Sequence, residues 1–247
     1  MAPAFACLLA KRGFEVIGVD PAAASLNVAR AKPGADRVRW VLGDATALPP
    51  LQLDMATMTG NVAQVFVTDQ EWASTLRCTY AALRPGARLV FETRDPQQKA
   101  WLKWSREQSY RRIEIPEVGG VETWNEVAGV RGQLVTFRGT VVFAKDGTVL
   151  TSDSTLRFRE RDEIADSLVT AGFSVEAVLD APDRPGLEMV FVARREHSPR
   201  HQIRPRREGR GSAHRENQPL IAGHRKATVP NTRALRTDLR VPTAGPM

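Results

Sequence analysis

The sequence predicts an α/β domain whose parallel sheet is covered by helices on both faces, and three observations carry that prediction. Short, nearly continuous apolar runs at 14–19, 37–42, 53–58 and 88–93 alternate with helix-period segments, as parallel strands buried between helices do. Longer alternating stretches at about 110–158 then interrupt the pattern, which points to an antiparallel sheet inserted into the domain. A helix-like segment and two further strand-like runs follow, so the folded unit is expected over 1–195.

Each element has a local reason. Residues 4–12 read as a helix that stops at Gly13, where a positive φ is cheap. FEVIGV (14–19) is a strand with Asp20 at its carboxyl end, and Pro21 is expected to open the next helix at a position that needs no N–H. Pro33–Gly34 turns the chain into a strand at 37–42, followed by Gly43–Asp44. LDMATM (53–58) leads into Thr59–Gly60–Asn61, and Asp69 is expected to cap a helix that runs to about Leu83. Arg84–Pro85–Gly86 reads as a tight turn before RLVFET (88–93), and 97–109 as a further helix. Strands at about 110–116, 121–129, 134–143 and 149–158 make the insert, with a hairpin turn at Lys145–Asp146–Gly147. Helix 161–171 ends at Gly172, and strands 173–179 and 187–194 flank Asp183–Arg184–Pro185–Gly186.

Charge divides the chain. Residues 1–195 hold 24 Lys plus Arg against 24 Asp plus Glu, whereas 196–247 hold 11 against 4 and also all four histidines. The basic excess thus belongs to a Pro-, Gly- and Arg-rich tail without apolar periodicity, which is expected to be disordered. That tail carries no aromatic residue for stacking on bases, so nucleic acid is not the expected partner. Cys7 and Cys78 lie far apart and suit free buried thiols. No metal-ligand spacing, secretory signal or run of roughly 20 apolar residues is present, so no metal and no membrane are expected, and a cytoplasmic location is. The oligomeric state is not legible.

Candidate chemistry clusters at the carboxyl ends of the strands, where open α/β sheets bind ligands. Asp20 is placed to accept two hydrogen bonds from a ribose diol, or else to cap the following helix. Asp44 suits an exocyclic amino group, with the Ala45 N–H for a ring nitrogen, or else an Asx-turn. Thr59, Gly60 and Asn61 form the mouth of the site; Gly60 permits close approach, and Asn61 offers both donor and acceptor or serves its own turn. Arg94 can pair with Asp95 or with a substrate carboxylate. Trp101, Trp104, Tyr110 and Trp124 either wall a pocket or form the core of the insert. Residues 1–195 contain no histidine and the chain no phosphate-binding loop of the Walker type, which removes hydrolytic triads and nucleotide triphosphatases.

The segments GFEVIGVD (13–20), VRWVLGDATALP (38–49), LDMATMTGN (53–61) and ALRPGARLVFETRDP (82–96), in this order and spacing, resemble bacterial class I S-adenosylmethionine-dependent methyltransferases of the small-molecule type. The resemblance implies S-adenosyl-L-methionine as cofactor, with its ribose on Asp20, its adenine on Asp44 and Ala45, and Thr59 and Gly60 alongside. The segment Thr59 through Gln64 then lines the methyl-transfer site, and Thr59 and Asn61, with Arg94 from the reading above, are the candidate catalytic residues for a small-molecule acceptor. It also implies a Rossmann-like sheet ended by a reversed hairpin (173–179 and 187–194), with the insert as an antiparallel β lid. The family's first strand and its G-x-G-x-G loop are missing from the pattern, by roughly 30–45 residues. Their absence is expected to leave the strands at 14–19 and 53–58 with open edges that pair with each other or with another chain, and to make cofactor binding weak or absent. An NAD(P)-dependent oxidoreductase is the alternative enzyme class, and a catalytically impaired fragment or binding protein the alternative to catalysis.

Overall fold

The computed structural model describes residues 2–196; the basic segment 197–247, with its expected lack of structure, lies outside them. Helix α1 (Ala2–Lys11) precedes β1 (Val16–Asp20), α2 (Ala23–Arg30) and β2 (Val38–Leu42). β1 and β2 pair in parallel as a two-stranded sheet. Gly18 is required in β1, because a Cβ there would meet the Trp40 ring of β2 at 2.4 Å. The Trp40 indole N–H donates to the Ala35 carbonyl at 3.1 Å, so the ring is fixed over the strand.

The next elements are β3 (Leu53–Met58), α3 (Asp69–Ala82) and β4 (Leu83–Arg94). After the insert come α5 (Arg161–Thr170), β9 (Phe173–Asp180) and β10 (Glu188–Arg195). Their strands form a second sheet in the order β3-β4-β10-β9. β3 is parallel to β4, while β10 runs antiparallel to both β4 and β9. The reversed terminal hairpin is therefore present, inserted with β10 against β4.

The insert is the antiparallel sheet β5 (Arg111–Ile115), β6 (Gly119–Arg131), β7 (Leu134–Phe143) and β8 (Val149–Arg157), in that order. Its turn at Asp146–Gly147 closes as expected: Gly147 has φ 71°, and Thr148 N–H donates to Asp146 Oδ1 at 2.9 Å. Trp101 packs edge-on against Phe158 at 4.6 Å and Trp104 against Phe137 at 4.9 Å, so these tryptophans join the insert to the chain after β4. Arg157 and Arg159 then tie the end of the insert to α3, donating to the Val67 and Thr68 carbonyls at 3.3 and 3.2 Å.

Several expectations need correction. A single continuous sheet does not form. β1 pairs only with β2 and β3 only with β4, and among the described residues no hydrogen bond or ion pair joins 2–50 to 51–196. The two open edges have thus not closed on each other. Pro21 lies ahead of α2 rather than in its first turn, because the Ala22 N–H is already taken by Asp20 Oδ1 at 2.8 Å. The cap of α3 is Thr68, not Asp69: Thr68 and Glu71 form a reciprocal capping box, which frees Asp69 to pair with Arg157 at 2.7 Å. Arg84–Pro85–Gly86 does not separate helix from strand. β4 begins at Leu83 opposite Leu53, and the pairing resumes only at Arg88 opposite Met55, so the turn is an irregularity within the strand. Residues 97–109 form short helical turns (Pro96–Gln98, Ala100–Lys103) and α4 (Arg106–Ser109) instead of one helix, because Lys99 adopts φ 45° and Ser105 is extended.

The cores differ in size. α3, α5 and the second sheet enclose Trp72, Leu76, Leu89, Phe91, Ile164, Leu168 and Phe191, with Phe91 and Phe191 stacked at 5.3 Å. The β1–β2 unit has only Cys7, Ala10, Ala35 and Val38 at its centre. By area burial the first core dominates folding free energy.

Candidate functional site

The predicted site residues fall into two groups, at the carboxyl ends of the two sheets. Asp20 ends β1, and Asp44 follows β2; the Gly43 N–H donates to the Asp20 carbonyl at 3.1 Å, so the two turns adjoin. Both carboxylates use one oxygen locally. Asp20 Oδ1 accepts from Ala22 N–H, and Asp44 Oδ1 accepts from the Thr46 N–H at 2.8 Å and its hydroxyl, shaping the short helical turn Ala45–Ala47. Asp20 borders an open hollow with Gly18, Ser25 and Trp40, but neither Asp44 nor Thr59 lines it.

The second group begins where β3 ends. Gly60 and Asn61 adopt φ 75° and 60°, two successive left-handed residues that reverse the chain. The turn is held from the neighbouring strands. Gly60 N–H donates to Glu92 Oε1 at 2.7 Å, and Asn61 Nδ2 to Glu188 Oε1 at 2.9 Å. Glu188 Oε1 also accepts from Arg184 at 2.7 Å, and Arg184 lies 3.9 Å from Glu92. Asn61, Gln64 and Glu188 are buried, and one polar atom of each, Asn61 Oδ1, Gln64 Nε2 and Glu188 Oε2, has no partner among the described residues. Buried orphans of this kind are uncommon and call for a water or ligand atom.

Arg94 does not pair with Asp95, whose Oδ1 instead accepts from Gln97 N–H at 2.9 Å. Its NH1 donates to Gln64 Oε1 at 2.8 Å, and its guanidinium lies 5.6 Å from the Trp104 ring centre. Trp101 and Trp104 thus serve the packing of the insert, while Trp124 is covered by Arg106 at 4.4 Å and Tyr110 is exposed. Thr59, Gly60, Asn61 and Arg94 are brought together; Asp20, Asp44 and Ala45 form a separate group on the other sheet. Glu188 and Arg184 were missed in the sequence. Their signal is faint: a lone acidic residue opening an apolar strand, preceded four residues earlier by an arginine.

Comparisons with known proteins bear on the fold and the family. Residues 4–86 match a family model described as a methyltransferase domain. No curated protein sequence matches the chain. The fold is similar to that of the CcbJ methyltransferase from Streptomyces caelestis, at 19% identity and a TM-score of 0.59 over 76% of this chain and 78% of that one. It is also similar to a sugar N-methyltransferase from a Streptoalloteichus species, at 16% identity and a TM-score of 0.59 over 79% and 77%. An S-adenosylmethionine-dependent methyltransferase from Clostridium acetobutylicum aligns at 11% identity and a TM-score of 0.58 over 74% and 76%. The chain has the class I methyltransferase fold, and its residues 4–86 match the model of a methyltransferase domain.

Among the described residues no helix is long and apolar enough to cross a membrane.

Proposed function

We propose that the chain catalyses S-adenosylmethionine-dependent methyl transfer to a small-molecule acceptor. The observation that carries this reading is the left-handed Gly60–Asn61 turn at the carboxyl end of β3, held by Glu92 of β4 and Glu188 of β10, within a fold whose residues 4–86 match a methyltransferase domain. The cofactor, when bound, supplies a methyl group on a sulfonium, already a strong electrophile. The protein's tasks are then alignment and exclusion of water.

Asp20 and Asp44 fit the adenosine end of such a cofactor, its ribose and its adenine. Each stands at a strand's carboxyl end and keeps acceptor capacity beyond the local hydrogen bonds that its Oδ1 accepts. Gly60 fits the close approach, since the space where its Cβ would project holds nothing within 4 Å. Thr59 and Asn61 would then align the acceptor, and Arg94 would hold it. The neighbours include a sugar N-methyltransferase, which supports a small polar acceptor.

The test is to incubate the chain with S-adenosylmethionine and a panel of small amines, alcohols and hydroxy acids and to quantify S-adenosylhomocysteine. Product above the buffer rate, reduced at least roughly tenfold by Asn61→Ala, is expected. Product at the buffer rate across the panel defeats the catalytic reading.

A second reading rests on the division between sheets. Asp20 and Asp44 belong to β1–β2 and Thr59–Asn61 to the other sheet, without a hydrogen bond between them among the described residues. Such a site binds without efficient turnover, and then labelled cofactor is retained but not consumed.

A further inference from the structure

Arg94 closes β4 beside the insert, and its surroundings are unusual for a half-buried cation. Burial strips water from the guanidinium and pushes its pKa below the ordinary arginine value, against the opposing pull of Glu188 and Glu92. A buried charge ordinarily meets a counter-ion, yet among the described residues no carboxylate pairs with Arg94. Its side-chain hydrogen bond goes to the neutral Gln64 Oε1 at 2.8 Å, and Trp104 covers it at 5.6 Å. Glu92 and Glu188 are engaged through Oε1, the first by Gly60 N–H and the second by Asn61 and Arg184, while Glu188 Oε2 has no partner among the described residues.

Gln64 supplies the second observation. It is 0% exposed, and its Nε2 has no partner among the described residues. Exchanging the amide oxygen and nitrogen would set N–H against N–H at Arg94, so the orphan must be the donor. A neutral amide fixes the direction of the guanidinium without cancelling its charge, whereas a glutamate would cancel it. The remaining Arg94 N–H groups and Gln64 Nε2 are donors; the unpartnered acceptors of the site, Asn61 Oδ1 and Glu188 Oε2, belong to the turn after β3 and to the start of β10. The group that satisfies such a set is a planar oxygen anion.

We infer that Arg94 and Gln64 form a receptor for a carboxylate carried by the ligand of this site, with the methyl acceptor as its bearer. The inference rests on the methyltransferase reading. The cofactor's own amino-acid carboxylate shares the chemistry, and the experiment separates the two sources.

Two probe pairs, each a compound with a carboxylate and one without, are titrated calorimetrically against the full chain and the variants Arg94→Gln and Gln64→Glu. One pair is benzoate and benzamide, at a fixed excess of 5′-methylthioadenosine; the other is S-adenosylhomocysteine and 5′-methylthioadenosine, which lacks the amino-acid part. A preference for benzoate of roughly tenfold, lost in both variants, supports an acceptor carboxylate. A preference confined to the adenosine pair and lost in both variants supports the receptor with the cofactor as bearer. Gln64→Glu keeps the shape and gives Arg94 an internal counter-ion, so it tests the charge even where Arg94→Gln does not fold. No carboxylate preference in the unaltered chain, or a preference that Gln64→Glu leaves unchanged, overturns the inference. Benzoate preference without any binding of the adenosine compounds keeps the receptor and removes the methyltransferase reading; binding of both adenosine compounds with no carboxylate preference in either pair removes the receptor and keeps the methyltransferase reading.

Discussion

Asn61 and Glu188, 127 positions apart in the chain, meet through a 2.9 Å hydrogen bond from Asn61 Nδ2 to Glu188 Oε1 in the buried interior. The contact fastens the turn after β3 to the first residue of β10, so the reversed terminal hairpin supports the candidate methyl-transfer segment directly. Arg184 shares the same oxygen at 2.7 Å.

Replacing Glu188 by alanine strands the Asn61 amide and removes one partner of Arg184, which keeps Asp183 at 3.2 Å, in a site where the Glu188 side chain is 2% exposed. A loss of about 3 kcal/mol in urea unfolding is expected, and a smaller one for Glu188→Gln, which keeps one acceptor oxygen. A change below ~1 kcal/mol for Glu188→Ala contradicts the supporting role.

The β1–β2 unit is expected to open before the rest. Its centre is four residues, and no hydrogen bond joins it to 51–196 among the described residues. Native-state hydrogen exchange should show the amides of Val16–Asp20 and Val38–Leu42 exchanging at least roughly tenfold faster than those of β4 and β10. Equal protection in both sheets contradicts the separation.

Gly18→Ala brings a Cβ to 2.4 Å from the Trp40 ring. The ring is held by its bond to Ala35, so relief requires moving the helix side of the unit, at a cost of about 1–3 kcal/mol. The same exchange experiment detects it as faster opening confined to residues 2–50; unchanged exchange there excludes the tight contact.

Acid should weaken one bond of the insert. Arg138 grips Asp153 through two hydrogen bonds of 2.7 and 2.8 Å, and this holds the Asp153 pKa below its ordinary value of 3.8. A depressed folded pKa means stability that is present above the unfolded pKa and lost as pH falls through the folded one. The difference in melting temperature between the unaltered chain and Arg138→Met should therefore shrink as pH drops below about 4. Both groups are exposed, so the effect is small. A difference that persists unchanged to about pH 2 assigns it to packing instead.

What the sequence revealed follows from the range of the interactions involved. The apolar runs located β2, β3, β9 and β10 to within a residue or two, and the alternation at 110–158 yielded all four strands of the insert, because side-chain periodicity is local. Asp20, Asp44, Thr59, Gly60 and Asn61 were legible as strand-end residues. Glu188 and Arg184 were not, since their meaning depends on β10 lying beside β4 with Glu188 opposite Arg94. The cap of α3 was misplaced by one residue because both Thr68 and Asp69 are good caps, and only Thr68 has a glutamate three residues on. The helix expected at 97–109 failed because Lys99 and Ser105 break it, while Trp101 and Trp104 are drawn toward Phe158 and Phe137 of the insert.

The proposed cofactor site requires Asp20 and Asp44 on one sheet and Gly60 and Asn61 on the other to contact a single ligand. A residue-resolved nuclear magnetic resonance titration with S-adenosylhomocysteine tests this directly and tolerates weak affinity. The expected result is saturable shifts of the backbone amides near Asp20, Asp44, Gly60 and Asn61 with one common dissociation constant, and no such pattern with NADH. Shifts restricted to one of the two groups, the same shifts with NADH, or none at millimolar ligand contradict it.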